Sequence, residues 1–411
     1  MHVLLISIGT GGDILPYVGL GVELLSRGHT AALVASEDYE PLARRHGLGF
    51  HALVTCAENQ ELFGHPDFWH PRKTPALSAR WGVRFLRRQY DLLAGLATRD
   101  TVLVANPGVF SAGLLHETTG IPWTNLILQP WLLPSSISPP LIPGYTLLAH
   151  APPLVWRGFW RALDWVGDRL VGCELNALRA TLGLPPARRI FRDWLAPQRL
   201  IGLFPDWFGP TPKDWPPQLR LAGFPQFSGA PEAALPPAIL QFCQAGPSPV
   251  VFTFGTGMAH PAALFRQALE ACRHLGVRAF FLTKFRDQLP PELPPAIMPS
   301  AFLPFSQLFP HCAALVHHGG IGTTANALAA GLPQLIRPIC FDQLDNARRV
   351  QRLGAGASLP ASQATGRQLA TALAPLLTAA AQDRCRHLAR RFAGPDPLPK
   401  AADWVEELGG A

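Results

Sequence analysis

Two histidines followed by two glycines and then Ile-Gly-Thr-Thr stand where an apolar run, Ala313 to Val316, gives out. The run has the length of one buried strand. Behind it Ile321, Ala325, Leu328 and Ala329 recur at helical spacing, and Gly331 before Pro333 marks a stop. HHGGIGTT therefore reads as a strand end, a glycine turn and a helix start. The first amides of a helix lack partners within it and carry the positive end of its dipole, so such a turn welcomes an anion. Gly319, Gly320 and Gly322 let a phosphate approach the backbone, Thr323 and Thr324 add hydroxyls, and His318 can donate a ring N–H to a diphosphate oxygen. One helix and one strand later, past Pro338, Asp342, Gln343, Asp345 and Asn346 arrive at the same sheet edge. In open parallel sheets, ligands lie outside the carboxyl ends of the strands. A diphosphate beside carboxylates and amides, which hold hydroxyls through paired donors and acceptors, suits a nucleotide sugar. A glycine turn alone is often only a tight connection; the FDQxDN run that follows makes this one informative.

A second constellation lies near the start. Strand-like HVLLISIG ends in GTGGD, Gly9 to Asp13, and a helical pattern follows to Gly28. Gly9 and Gly11 fit the first two glycines of a dinucleotide-binding GxGxxG, with Glu37 as a ribose carboxylate, but Ile14 occupies the third position. That departure argues against a nicotinamide site. Asp13 has two readings, a cap on the helix beginning at Ile14 and a general base.

HGGxGT followed by an Asp-Gln pair resembles the donor signature of the family-one glycosyltransferases, whose fold is termed GT-B. The resemblance implies an α/β chain of two Rossmann-like domains facing across a cleft, with acceptor bound in the first and nucleotide sugar in the second. It implies no cofactor beyond the co-substrate, a dTDP- or UDP-sugar. In the branch with sterol and antibiotic-decorating glucosyltransferases, an Asp in a G-[ST]-x-G-D setting replaces the family's acceptor-side His; Asp13 matches it, with Gly12 beside it as an acceptor contact. Gly255 and Thr256 correspond to a small-residue turn that touches donor phosphates, and Phe302 to an aromatic that stacks on the base, while Phe305 replaces the usual Gln. IGTGGDILPYVGLGVELLSRGH, WHPRKT, RIFRDWLAPQ and KDWPPQLRLAGFP are similar to the rhamnosyltransferases of rhamnolipid synthesis, which use dTDP-rhamnose and a hydroxylated lipid. The second His of HHGG departs from that group towards the sterol and macrolide branch. The expectation is inverting transfer of a rhamnose- or glucose-type hexose to a hydroxyl of a lipid-like or other apolar acceptor. No DxD pair offers ligands to a divalent ion, so the helix dipole and His318 would stand in for metal. A catalytically silent lipid- or partner-binding homologue is the rival; intact Asp13, His318, Asp342 and Gln343 argue against it.

The elements that must hold these residues follow from rhythm. Strand and helix alternate through the first fifty residues and again from Val250, which gives parallel sheets. Between lies the apolar, proline-dense segment 129–165, in which proline spacing argues against long regular structure; Trp131, Trp156, Phe159 and Trp160 are candidates for an apolar acceptor pocket or for the core. The expected organisation is an acceptor domain over 1–215, a Pro-rich linker over 216–249, a nucleotide-sugar domain over 250–395, and a tail over 396–411 whose helix, Lys400 to Leu408, crosses back to the first domain. Arg80, Arg84, Arg87 and Arg88 cluster on a helical stretch with two readings: a helix resting on the inner membrane's surface, or a solvated basic face over a core helix.

Composition bounds the rest. Of 411 residues 48% are hydrophobic and 15% charged, which fits two packed domains rather than disorder. No apolar run reaches the ~20 residues of a membrane-spanning helix, and no basic leader precedes His2, so a cytoplasmic location is expected. Seven cysteines without a CxxC pair read as reduced thiols. A net charge of +7 suits phosphorylated ligands or an anionic surface; without an arginine- or lysine-rich recognition module, nucleic acid is not an expected partner.

Overall fold

The computed structural model describes residues 1–193, 195, 198–229, 234–255, 262–360 and 365–410. The chain divides into two compact units, one of Met1–Pro140, Gly144–Gly229 and Asp396–Ala411, the other of Leu141–Pro143 and Ala230–Pro395.

The first unit is built on seven parallel strands: β1 (His2–Ile6), β2 (Thr30–Ser36), β3 (Gly49–Val54), β4 (Thr101–Ala105), β5 (Trp123–Ile127), β6 (Leu200–Gly202) and β7 (Leu219–Leu221). Their order is β3-β2-β1-β4-β5-β6-β7. Helices cover both faces of such a sheet, so its central strands read as unbroken apolar runs, and Val3 to Ile6 are fully buried. Strand order reverses between β1 and β4, and at the carboxyl end of β1 the chain turns into the helix Gly11–Ser26. That is where a doubly wound sheet opens a crevice for a ligand.

Three elements differ from what sequence pattern suggests. Segment 129–165 is irregular only as far as Pro152; at Pro153 a helix of 29 residues begins and runs to Thr181. Proline at the first helical position loses no hydrogen bond, so the prolines that break structure before 152 start the helix after it. Likewise the C-terminal helix spans Pro397–Gly409, with Pro397 and Pro399 inside its first turn. It packs against Gly11–Ser26, where a Cβ on Gly19 would lie 3.0 Å from Leu398, and Arg27 ties the two helices through Asp403 and Glu406. The arginine-rich stretch is two helices, Thr74–Arg84 and Leu86–Leu96, broken at Phe85. Three of its four arginines are paired: Arg84 with Glu61, Arg88 with Glu58, Arg87 with Asp91. Arg84 and Arg88 also stand over the Phe85 ring.

The second unit carries six parallel strands: β8 (Val250–Thr253), β9 (Ala279–Leu282), β10 (Ile297–Ser300), β11 (Ala314–His317), β12 (Gln334–Ile336) and β13 (Gly356–Ser358). Their order is β10-β9-β8-β11-β12-β13, reversing between β8 and β11. Val251, Phe280, Leu282, Leu303, Leu308, Leu315 and Ala327 pack one core on this sheet. No helix among the described residues is long and apolar enough to cross a membrane. The seven cysteines are free thiols.

Candidate functional site

In the second unit the residues after β8 and β11 meet at the reversal of strand order. Gly255, with φ of +93°, lies so close to the His318 ring that a Cβ there would sit 3.1 Å from it. A Cβ on Gly320 would fall 2.5 Å from His318 Nε2, and one on Gly319, at φ +96°, 2.6 Å from Ile336 Cγ2. Glycines are required here for room as well as for backbone conformation. Thr256 lies outside the described residues.

The two histidines do different things. His317 is fully buried; its Nδ1 accepts from the Gly319 amide at 3.2 Å, so its Nε2–H faces Gln334 Oε1 at 3.0 Å. It braces the turn, and burial pushes its imidazole down to about 3. His318 points into the glycine turn, its Nδ1 buried without a hydrogen-bond partner, and burial pushes it down to about 4. Neutral at pH 7, it can donate one ring N–H to an incoming oxygen.

Gly320 caps the helix Ile321–Ala329 without a side-chain bond. The Thr324 amide already donates to Gly320 O, and the Gly319 amide is held by His317, so the amides of Ile321, Gly322 and Thr323 are the ones left at the helix start. Thr323 is half-buried; Thr324 is fully buried with Oγ1 unpartnered. His318 Nδ1 and Thr324 Oγ1 are buried polar atoms of the kind that mark a ligand position.

The FDQxDN run caps and opens the helix Gln343–Arg352. Asp342 is 8% exposed and accepts from Asn346 Nδ2 at 2.6 Å; the same Nδ2 donates to Gly319 O at 2.9 Å. Asn346, itself fully buried, thus bridges the glycine turn and Asp342 rather than presenting its own surface. Gln343 Oε1 accepts from the Ile339 and Cys340 amides, which leaves its Nε2 as the group it can offer. Phe341, just before Asp342, has φ of +55°, a left-handed conformation costly for a bulky residue and typical of positions held for function. Asp345, grouped with these residues in the sequence reading, is instead structural: it is fully buried and accepts from Arg348, Arg349 and the Leu141 amide. Phe302 stands 61% exposed beyond β10, while Phe305 stacks on Phe309 at 4.5 Å.

In the first unit the helix begins at Gly11, with Thr10 as N-cap, so Asp13 occupies the third helical position rather than the cap. Its Oδ2 accepts from the Thr10 amide at 2.9 Å and the Thr10 hydroxyl at 3.2 Å, so the carboxylate reaches back to satisfy the N-cap amide, the half of a capping box that its third residue supplies. No hydrogen bond reaches Oδ1 among the described residues. Burial raises the Asp13 carboxyl above the usual range, against the pull of the two Thr10 donors. Burial, and after it the Asp13 carboxylate, holds the Tyr17 phenol high. Gly9, at φ +126°, has no space for a Cβ, which would meet Asp13 Oδ2 at 2.3 Å. Gly12 is exposed and open. Sequence pattern did not single out Thr10, though Thr-x-x-Asp before an apolar run is the signal that finds it.

Of the acceptor candidates, Trp156 is 1% exposed, with Nε1 on Leu148 O and its ring against Phe159 and Trp160. It belongs to the core, because a helix long enough to run from 153 to 181 needs large side chains on its inner stripe. Phe159 and Trp131 are half-buried, and Trp131 Nε1 is unpartnered. No group of three His, Cys, Asp or Glu among the described residues could hold a metal ion.

Comparison with known proteins adds to this geometry. Residues 3–135 match the glycosyltransferase family 28 N-terminal domain, and 281–406 the erythromycin biosynthesis protein CIII-like C-terminal domain. The chain is 29% identical to an O-mycaminosyltylonolide 6-deoxyallosyltransferase of Streptomyces fradiae, over 99% of this chain and 97% of that one. It is 28% identical to a sterol 3-beta-glucosyltransferase of Pichia angusta, over 86% of this chain but only 29% of the larger relative. Among solved structures, the glycotransferase of kitacinnamycin superposes with a TM-score of 0.75 at 18% identity, covering 99% of this chain and 98% of that one. The spinosyn rhamnosyltransferase SpnG complexed with thymidine diphosphate does so at 0.69 and 20%, covering 98% and 100%.

Proposed function

We infer the reaction from the premise that this chain belongs to the family-one glycosyltransferases of GT-B fold: it moves a hexose of rhamnose or glucose type from a dTDP- or UDP-sugar to a hydroxyl of a lipid-like or other apolar acceptor, with inversion and without a metal. The observation that carries this reading is the neutral His318, its Nδ1 without a partner among the described residues, beside three helix amides that no described group engages, at the strand-order reversal of the second sheet.

In the proposed step, the acceptor oxygen attacks the anomeric carbon while Asp13 takes its proton. The bond from that carbon to the diphosphate oxygen breaks, and the leaving diphosphate keeps the electron pair. His318 and the amides of Ile321, Gly322 and Thr323 stabilise the charge that develops there. Asp342 and Gln343 Nε2 hold sugar hydroxyls, Phe302 offers a face to the base, Gly255 flanks the phosphates, and Asn346 keeps Asp342 in place. Gly12, Trp131 and Phe159 are the acceptor contacts. Asp13 as base is supported by its raised carboxyl and by an Oδ1 without a partner among the described residues.

The test is a donor panel of dTDP-rhamnose, dTDP-glucose, UDP-glucose and UDP-N-acetylglucosamine, scored by protection against thermal unfolding and then by transfer. One or more dTDP- or UDP-hexoses should protect the protein, and His318→Ala should abolish the protection. A panel in which none protects, or in which the variant is protected equally, would overturn the donor assignment.

A further inference from the structure

A helix that buries one stripe ordinarily turns a polar face to water. The helix Pro153–Thr181 buries Trp156, Asp164, Gly167, Val171, Leu175 and Leu178, yet its outer face is apolar over most of its first five turns. Of the ten large apolar side chains exposed among the described residues, nine lie between Ile137 and Phe191, five of them on this helix. Leu154 is 75% exposed and Trp165 58%. At 100° per residue, Val155, Ala162, Val166 and Cys173 lie within about 20° of a line opposite Asp164. The 3₁₀ turn Thr146–His150 extends this face: Leu148 O accepts from Trp156 Nε1, the Tyr145 ring meets Phe159 edge-on, and Leu147 is 96% exposed.

The charges bordering this surface are mostly positive. Arg161 and Arg169 are exposed at its flank, and the Arg169 guanidinium lies 4.0 Å over the Trp165 ring. Of the acids of the same helix, Asp164 is 8% exposed and paired with Arg192, Asp168 accepts from the Arg189 and Ile190 amides, and Glu174 is exposed in the helix's second half. Arg84, Arg87 and Arg88, by contrast, face carboxylates of their own surface.

We propose that the outer face of Pro153–Thr181, with the Thr146–His150 turn, lies in the interfacial plane of an anionic lipid bilayer, its apolar side chains at the level of the upper acyl chains and its arginines among the phosphates. An apolar face flanked by arginine and tryptophan is the composition of an in-plane membrane helix, and anionic headgroups supply the missing negative charge. The proposal goes beyond the transferase reading and does not depend on it.

The test is flotation of the full chain with vesicles of phosphatidylglycerol or of phosphatidylcholine. Binding to phosphatidylglycerol should be strong at low salt, fall steeply as salt rises, and exceed binding to phosphatidylcholine. V155E/V166E should bind at least tenfold more weakly with an unchanged thermal unfolding midpoint, and R161Q/R169Q should lose about fivefold per arginine on phosphatidylglycerol alone. Absence of flotation at low salt would overturn the proposal, as would V155E/V166E floating like the parent protein. So would a dimer in sedimentation velocity that V155E/V166E converts to monomer, which would assign the face to a second copy. A raised KM in V155E/V166E for a water-soluble acceptor without vesicles would assign it to the acceptor site and overturn it equally.

Discussion

Asp13 can both cap a helix and accept a proton because its two oxygens are differently engaged. Oδ2 takes both donors of Thr10, and Oδ1 accepts no hydrogen bond among the described residues. Asn keeps an oxygen for Thr10 but is not a base, so Asp13→Asn should leave thermal stability nearly unchanged. Turnover should fall roughly 10²–10⁴-fold while donor binding persists. Because burial raises this carboxyl, its proton is lost at higher pH than for an ordinary aspartate. Activity should therefore fall as pH drops through a value above the usual carboxylate range, and that limb should vanish from the residual rate of the Asn variant. Near-parental turnover in Asp13→Asn would leave the residue a cap only. His318 is the complementary case: it is neutral at pH 7 and needs no charge to stabilise the leaving group. Its replacement by Ala should raise the transfer barrier by about 2–4 kcal/mol, measured in single turnover, the range for one preorganised donor to a developing charge.

At the scale of elements, the site depends on bonds between turns. Asn346 holds Gly319 O and Asp342 with one amide, so Asn346→Ala releases the glycine turn and the Asp342 carboxylate together. Donor KM should rise about tenfold and stability fall by about 1.5–3 kcal/mol, the cost of losing a buried bond to a charged group; an unchanged KM would deny the bridge its positioning role. His317 braces the same turn in a form that acid opposes. Its folded pKa lies below the unfolded 6.5, so the unfolded state binds the proton first, and the stability present above pH 6.5 is lost as pH falls towards about 3. At pH 5 the loss from this residue is about 2 kcal/mol. In His317→Asn, stability should be lower at pH 7 yet fall less steeply between pH 7 and 5 in denaturant titrations; an identical slope would contradict this. The glycine turn was legible because strand, turn and helix start each leave a strong local pattern in HHGGIGTT. Asn346's role was not, since its partner Gly319 lies 27 positions earlier. Strands β6 and β7 escaped notice because three residues between prolines and glycines carry no period, and Pro153–Thr181 because apolar side chains surround it where one stripe was sought.

For the whole molecule, strand and helix alternation foretold two parallel sheets, and each sheet brings a chemically distinct turn to the place where its strand order reverses. What alternation could not convey was how a diphosphate's charge is met. A leaving diphosphate carries more negative charge than one neutral histidine offsets, and transferases meet it with a divalent cation or with fixed protein dipoles. Here the helix Ile321–Ala329 presents a positive end equivalent to roughly half an elementary charge, in a chain whose net charge is +7. Those are long-range and local contributions of the same sign. The enzyme should therefore keep its turnover after treatment with EDTA, and added magnesium or manganese should neither raise the rate nor lower the donor KM. High salt should raise the donor KM modestly, since it screens the chain's net charge but not the amides at the turn. Loss of turnover in EDTA that returns with magnesium would mean that a cation, not the helix start, carries the diphosphate.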